Sequence, residues 1–235
     1  MLPVAILAGG LATRLRPITE TIPKALVDVA GKPFICRQLD YLHAQGIRQV
    51  VLCIGYLGEM IRAVVGDGSA FGLDISYSPD GDVLLGTGGA LKQALPLLNN
   101  EQFFVLYGDS FLPVDFAPIE TTFFESKKAA LMTVLENGNR WDKSNVLFRD
   151  GELLEYNKHA PRPEMAFIDY GLGILSGDLL STYALGQIFY LAEVYHALSL
   201  KKQLAGYEVH QRFYEIGSHD GLKETEAYFL MKEKS

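Results

Sequence analysis

The 235-residue chain has little cysteine and tryptophan: Cys36, Cys53 and Trp141 are all it contains of either. Two cysteines exclude a disulfide framework and a thiolate metal quartet, which leaves reduced, buried thiols as their simplest reading. The five histidines, His43, His159, His196, His210 and His219, show no metal-ligand spacing, and His43 falls on an expected helix with a structural role. No stretch approaches the ~18 apolar residues that a membrane helix needs. The apolar start lacks a basic flank and is broken by Gly9, Gly10 and Arg14, so no cleaved leader is expected and a cytoplasmic address is. Basic residues are too few to attract nucleic acid through the overall field: 21 Lys and Arg face 28 Asp and Glu, for a net charge of −7 and a pI near 5.3. With 49% hydrophobic residues, the chain can bury a sizeable core and is neither collagen-like nor disordered.

What is present first is an alternation of short apolar runs with helical patterns. Residues 4–7, 50–54 and 103–107 read as strands with no polar face, and 73–78 as an alternating strand. Helices are expected from Pro33 to Gly46, with Ile35, Leu39 and Leu42 on one face, and over 57–65 and 88–98. Wholly apolar strands separated by helices indicate a parallel sheet covered on both faces. From Ala129 the pattern changes to strands over 129–135, 146–148, 153–156 and 167–175, with a hairpin turn at Asp150-Gly151. A helix over 188–200, an extended segment over 206–216 and a last helix over 221–234 complete the reading. We expect one unit, 1–235, made of halves 1–110 and 111–235 that meet near 111–128.

The residues that carry chemistry begin at the first strand's end. Leu7-Ala8-Gly9-Gly10-Leu11-Ala12-Thr13-Arg14-Leu15-Arg16-Pro17 precedes Pro23-Lys24. A buried strand there delivers a glycine turn to the carboxyl edge of a parallel sheet, where ligands bind in open α/β folds. Glycines let backbone N–H groups approach a phosphate, and Arg14, Arg16 and Lys24 add cations to an otherwise acidic chain. The alternative is a turn followed by solvated charges; strand, glycines and cations together favour an anion site. A P-loop is absent, since Gly31-Lys32 runs into Pro33, and the first turn lacks the dinucleotide fingerprint Gly-x-Gly-x-x-Gly.

This composite motif resembles the signature of the sugar-1-phosphate nucleotidyltransferases. Three later segments are similar to family features, in order: Gly86-Thr87-Gly88-Gly89-Ala90-Leu91, Gly108-Asp109 and Tyr214-Glu215-Ile216-Gly217-Ser218. The resemblance implies a Rossmann-like three-layer mixed α/β sheet, helices on both faces, with a smaller antiparallel β extension for sugar binding. It implies transfer of a nucleotidyl group from an NTP to a sugar 1-phosphate, with Mg²⁺ as cofactor and neither nucleic acid nor membrane as partner. Self-association is compatible with the sequence, which announces no interface.

The resemblance also implies residue roles. Leu7, Ala8, Gly9, Gly10, Thr13, Arg14, Gly86, Thr87 and Gly88 bind the nucleotide. Arg14 meets the leaving phosphates, Lys24 the α-phosphate and the incoming sugar phosphate, and Asp109 the metal. Arg14, Lys24 and Asp109 are the catalytic set. Taken alone, Asp109 reads as a strand-end turn residue. Glu215 is the second metal ligand, one methylene longer than the usual aspartate. Ala12 stands where many members have Gly, from which a negative φ is expected. For the sugar phosphate, Lys158 replaces the family lysine unless it is a solvated loop charge, and Glu155, Asn145, Asp169 and Gly171 serve the sugar. A structural ion pair is the alternative for Asp169, because a charge on an apolar strand needs a partner. The compact chain is similar to heptose-1-phosphate guanylyltransferases and N-acetylmuramate-1-phosphate uridylyltransferases. The run over 85–91 leans to the former, with D-glycero-D-manno-heptose 1-phosphate and GTP. Base choice is expected near residues 7–9, 80–82 and 86–88. Alternatives are UTP with N-acetylmuramate or another hexose 1-phosphate, a cytidylyltransferase for phosphocholine, and a silent nucleotide-binding subunit.

Overall fold

The computed structural model describes residues 1–99 and 101–233. Strand β1 (Val4–Leu7) leads through short 3-10 turns to a small hairpin, β2 (Asp28–Val29) and β3 (Lys32–Pro33). Then come α1 (Phe34–Ala44), β4 (Gln49–Ile54), α2 (Gly58–Val65), β5 (Asp74–Pro79), α3 (Gly86–Ala94) and β6 (Gln102–Tyr107). The second half contains β7 (Ser110–Phe111), α4 (Phe116–Ser126), β8 (Ala130–Glu136), β9 (Val146–Arg149), β10 (Glu152–Tyr156) and β11 (Phe167–Ser176). It ends with α5 (Leu191–Leu200), β12 (Leu204–Val209), β13 (Tyr214–Glu215) and α6 (His219–Lys232).

Strands β5, β4, β1 and β6 lie side by side and parallel. Their apolar side chains serve two cores by simple alternation. Ile6, Leu52 and Leu106 pack with Ile35, Leu39 and Leu42 of α1. Ala5, Val51 and Val105 pack on the opposite face with Leu91 and Ala94 of α3. Burial on both faces is why these strands lack a polar side. The sheet continues with β11 antiparallel to β6, β8 antiparallel to β11 and β12 parallel to β8, while β9 and β10 branch from the start of β11. The architecture is thus the mixed, helix-covered sheet that the sequence implied.

Several boundaries differ from expectation. Residues 111–128, read as a junction, hold α4. Pro118 sits there in the first turn, where the missing N–H has no intrahelical partner to lose. Helix α3 starts at Gly86 rather than Gly88, and Pro96 tightens its end into a 3-10 turn over Leu95–Leu98. Helix α5 starts at Leu191 rather than Ile188, because the Thr87 hydroxyl accepts from Leu191 N–H at 2.9 Å and caps it. The extended segment starts earlier, at Leu204, and is split between β12 and β13. Helix α6 starts at His219, with Ser218 Oγ accepting from Gly221 N–H; the expected end at Lys234 lies outside the described residues. At the β9–β10 turn, Asp150 and Gly151 both have positive φ, 52° and 78°, as a two-residue type I′ hairpin requires.

Strand β11 shapes the second half. At Phe167 it pairs with both β8 and β9, and at Gly173 with both β8 and β6, so β9 and β6 share one edge. Between them, residues 168–171 have no strand on that edge. On the other edge a bulge sets Thr133 of β8 opposite residues 170–172, since Val134 pairs with Asp169 and Met132 with Gly173. Gly171 takes φ 99° inside the bulge. The buried Thr133 hydroxyl donates to Leu172 O at 2.6 Å and ties the irregular backbone down. Replacing it with the similarly shaped Val (Thr133→Val) removes this hydrogen bond and should lower unfolding free energy by about 1 kcal/mol. An unchanged urea midpoint would show that the bulge does not depend on this bond.

Candidate active site

The parallel strands run from β1 through α1 to β4 on one side and return through α3 to β6 on the other, so the chain direction switches between β1 and β6. Ligands in such sheets bind outside the carboxyl ends at that switch. A cavity of about 370 Å³ opens there, lined by Leu7, Ala8, Gly9 and Gly10 after β1, Cys53 of β4, Asp80 after β5, Gly86 and Thr87 of α3, and Lys24, Tyr107 and Asp109. The strand-end turns touch through their backbones. A Cβ on Gly9 would stand 3.0 Å from Gly55 N, and one on Gly108 would stand 3.0 Å from Leu7 O.

Three expected nucleotide contacts are arranged differently. Gly88 does not line the cavity; it packs against the Phe189 ring, and its N–H donates to Phe189 O at 3.0 Å. Thr13 lines neither cavity described here. Arg14 borders the second cavity rather than the first. Ala12 has φ 49°, not the negative value expected. This left-handed residue costs about 1–2 kcal/mol. Its carbonyl accepts from Thr19 Oγ1 at 2.7 Å and Leu15 N–H at 3.2 Å, which holds the turn in place, and alanine has the smallest side chain that could clash there.

At the inner end, Lys24 Nζ meets Asp109 Oδ2 at 2.6 Å, with the side chains 15% and 32% exposed. The Ser110 hydroxyl donates to Asp109 Oδ1 at 3.1 Å. Gln38 Nε2 braces this turn by donating to Tyr107 O and Ser110 O at 3.0 and 2.7 Å. Glu215 is brought beside Asp109 because β13 pairs with β7, Glu215 opposite Ser110. Its carboxylate accepts from Gly217 N–H and, at 3.2 Å, from the Ser218 hydroxyl. Among the described residues, no group of three or more His, Cys, Asp or Glu could hold a metal ion.

A second cavity of about 520 Å³ lies beyond Asp109, against the open edge of β11. Asn145, Lys158, Asp169 and Gly171 line it, together with Arg14 and Glu215. Asn145 Oδ1 accepts from Asp169 N–H, and Asp169 Oδ1 from Gly171 N–H, both at 3.0 Å. Burial raises the Asp169 carboxyl from 3.8 to about 6, opposed by the Gly171 N–H and the Lys158 charge. Glu155 does not line the cavity. It pairs with Arg162 at 2.6 Å, and its strand neighbour Tyr156, on the opposite face of β10, lines the wall instead. Sequence reasoning missed Arg140, Arg212 and Phe213. Trp141 was the one available signal: Arg140 and Arg212 lie 5.3 and 5.4 Å from its ring and Phe213 meets it edge-on. Tyr107 and Asp109 are the residues that line both cavities.

A glycine turn at a sheet switch point, opening at one acid into a second, polar cavity, gives this α/β fold room for two ligands side by side. The nucleotidyl transferase family model matches residues 4–143. The chain is 33% identical over 227 residues to an N-acetylmuramate alpha-1-phosphate uridylyltransferase of Neisseria meningitidis, covering 94% of this chain and 96% of that one. It is 33% identical over 188 residues to a D-glycero-alpha-D-manno-heptose 1-phosphate guanylyltransferase of Campylobacter jejuni, covering 80% and 82%. The crystal structure of HddC from Yersinia pseudotuberculosis complexed with GMP-PN superposes with a TM-score of 0.81 at 25% identity, over 97% of this chain and all of that one. The chain belongs to the nucleotidyl transferase family, as the opening motif implied.

Asp169 gives a test of the second cavity's polarity. Its raised pKa means that folding favours the neutral acid. Relative to Asp169→Asn, the protein should therefore gain stability as pH falls through about 6 toward 3.8, and lose that gain as pH rises through 6. Denaturant midpoints of the two proteins across pH 4–7 measure the difference. A constant difference would mean that the carboxyl is solvated.

Proposed function

We propose that this nucleotidyltransferase joins an NTP bound in the first cavity to a sugar 1-phosphate bound in the second, releasing pyrophosphate. The observation that carries the reading is the junction: two cavities meet at Tyr107 and Asp109, beside Lys24, with Arg14 on the second cavity's wall. The acceptor phosphate is ionised at neutral pH, so the reaction needs no protein base. It needs two anions held in line, their charge neutralised and water excluded. Lys24 would exchange Asp109 for phosphate oxygens as substrates enter. Arg14 would stabilise charge on the phosphates from the acceptor side, and Lys158 would hold the sugar phosphate. Asp169 and Asn145 would accept from and donate to sugar hydroxyls.

Asp109 and Glu215 suit Mg²⁺ in kind. Both are hard oxygen donors on paired strands, and Mg²⁺ takes few protein carboxylates alongside phosphate oxygens and water. When bound there, the ion would supply positive charge against the triphosphate. Lys24 at present occupies Asp109 Oδ2, and Glu215 is engaged by the start of the turn into α6.

For substrates we favour GTP and D-glycero-D-manno-heptose 1-phosphate. Support comes from Leu85-Gly86-Thr87-Gly88-Gly89, the Campylobacter relative named for that reaction and the guanine nucleotide in the Yersinia neighbour. UTP with N-acetylmuramate 1-phosphate is the second reading. Arg140 and Arg212 in the acceptor cavity would suit a carboxylate-bearing sugar, and the Neisseria relative is named for that reaction. Phosphocholine fits poorly, because Trp141 already carries arginine cations where a quaternary ammonium would bind. Retention of Arg14, Lys24, Asp109 and Glu215 around one junction argues against a silent regulatory subunit.

Pyrophosphate release measured with Mg²⁺ over NTPs and sugar 1-phosphates, plus phosphocholine, should show one preferred pair and be abolished by chelator. Asp109→Ala should abolish turnover, and Lys24→Ala should reduce it by about 10²–10³-fold. Turnover at the normal rate in Asp109→Ala would remove that residue from the metal site; an unchanged Lys24→Ala would remove the lysine from the transfer step.

A further inference from the structure

The turn that joins the two cavities leaves the sheet almost at once. Pairing of β6 with β11 stops at Leu106, pairing with β1 stops at Tyr107, and β7 pairs with β13 instead. Gly108 and Asp109 lie between. The Asp109 side chain does not anchor them. Its oxygens meet Lys24, which substrates draw away in the transfer reading, and the Ser110 hydroxyl of the same turn. Order at Asp109 must then come from the backbone. Gly108 N–H donates to Leu7 O and Ile216 N–H to Asp109 O, both at 2.9 Å. The carbonyls on either side, of Tyr107 and Ser110, are held by one side chain, Gln38 of α1, whose Nε2 donates to them at 3.0 and 2.7 Å.

Gln38 lines neither cavity and is 4% exposed. Its amide is spent wholly on this turn. Oε1 is buried and has no partner among the described residues. The reverse orientation would set Oε1 against two carbonyl oxygens, so the donors can face only the turn. A residue that merely filled space between α1 and the turn would serve better as an apolar side chain, which leaves no orphaned acceptor. What an apolar side chain lacks is a planar NH2 group whose two protons diverge toward two acceptors. That group fixes Tyr107 O and Ser110 O relative to each other and to a rigid helix. The two residues between them are left little freedom.

We propose that Gln38 is a positioning residue for transfer: its side-chain amide holds the turn so that Tyr107 and Asp109 keep the place where the two substrates meet. The inference rests on the transfer reading and adds to it a residue outside both cavities. Loosening the turn leaves most of each substrate's wall intact, because most of each wall comes from other elements. Misplacement at the junction instead slows the bound complex, and a displacement of about 1 Å costs about 10²-fold.

Gln38→Met keeps the side-chain length and removes the donors. Its kcat should fall by about 30–100-fold, while KM for each substrate changes by less than about threefold. Gln45→Met is the control at the end of the same helix. Gln45 Oε1 accepts from Phe116 N–H at 3.0 Å, away from the turn, and losing that bond should change kcat by less than about twofold. Gln38→Glu supplies a pH readout. As a neutral acid it donates one hydrogen bond to the turn; as a carboxylate it donates none and repels both carbonyls. The ratio of its kcat to the wild type's should therefore rise at least about tenfold from pH 9 to pH 6. Groups that titrate in both proteins, Asp109 and Tyr41 among them, cancel in the ratio. Amide hydrogen exchange over residues 107–111 reads the turn without turnover, and should speed up in Gln38→Met and not in Gln45→Met. If the wild type turns over no substrate pair, yet exchange rises there in Gln38→Met alone, the brace stands and the transfer reading fails. Where Gln38→Met does not fold, the Gln38→Glu ratio decides. An unchanged kcat in Gln38→Met, an equal loss in Gln45→Met, a loss confined to KM, or a pH-independent ratio overturns the positioning role while leaving nucleotidyl transfer intact.

Discussion

Backbone packed on backbone, with no side chain between, is the constraint on which the site depends. A Cβ on Gly55 would lie 2.7 Å from Gly9 O, and one on Gly108 would meet both Leu7 O and Ala8. Only glycine lets the turns after β1, β4 and β6 close to this distance. Their approach draws the strand ends into one floor, with Ala8 N–H donating to Cys53 O at 2.9 Å, and fixes Asp109 at its inner edge. The helix that follows, α3, is the usual place to look for anion-binding amides. Here the N–H groups of Gly88 and Gly89 are spent on Phe189 O, at 3.0 and 3.3 Å. That leaves Gly86 and Thr87 as the residues of this helix start that line the cavity, with Lys24 as the side-chain cation on its wall.

That division gives the Lys24–Asp109 pair its significance. Both groups are partly withdrawn from water, and each neutralises the other at 2.6 Å. A partly buried carboxylate left alone is costly, as is a partly buried ammonium. The pair therefore holds both chemical groups ready without leaving either charge unmatched. Because the two charges neutralise each other, drawing the ammonium away from Asp109 leaves a carboxylate that water or another cation has to satisfy. Glu215 reaches the same junction from the far end of the chain through the two-residue β7–β13 pairing, which ties α6 to the turn after β6.

The apolar strands and the glycine turn were legible because their physics is local. A strand buried on both faces has no polar residues, and a strand–Gly-Gly–cation run has few other uses. What escaped was either non-local or masked. The helix α4 carries Phe116, Ile119 and Phe123 on its buried side, but its two nearby prolines, Pro113 and Pro118, disguised it as a junction. Ala12 was judged by its Cβ alone, whereas Thr19, seven residues on, stabilises the left-handed turn through its carbonyl. Glu155 looked like a sugar ligand by proximity to Lys158. Strand alternation sends it outward to Arg162 and turns Tyr156 inward. Arg140 and Arg212, 72 residues apart, meet at Trp141 only after β12 and the segment leading to β13 have folded back over the second cavity, a contact that no local pattern encodes.

The two cavities also come from different structural sources. The first cavity is the carboxyl edge of a parallel sheet, where the switch point alone creates space. The second cavity exists because β11 bulges at residues 170–172 and leaves its edge open between β6 and β9. Asp169 and Gly171 sit in that opening, so the irregularity is what exposes polar groups on an otherwise buried strand. Among the described residues the cavities have Tyr107 and Asp109 in common, and every other side chain that lines one is absent from the other. Changes at such separated positions act on the two substrates nearly independently. Coupling is confined to the junction, which is where in-line transfer requires the two substrates to be held against each other.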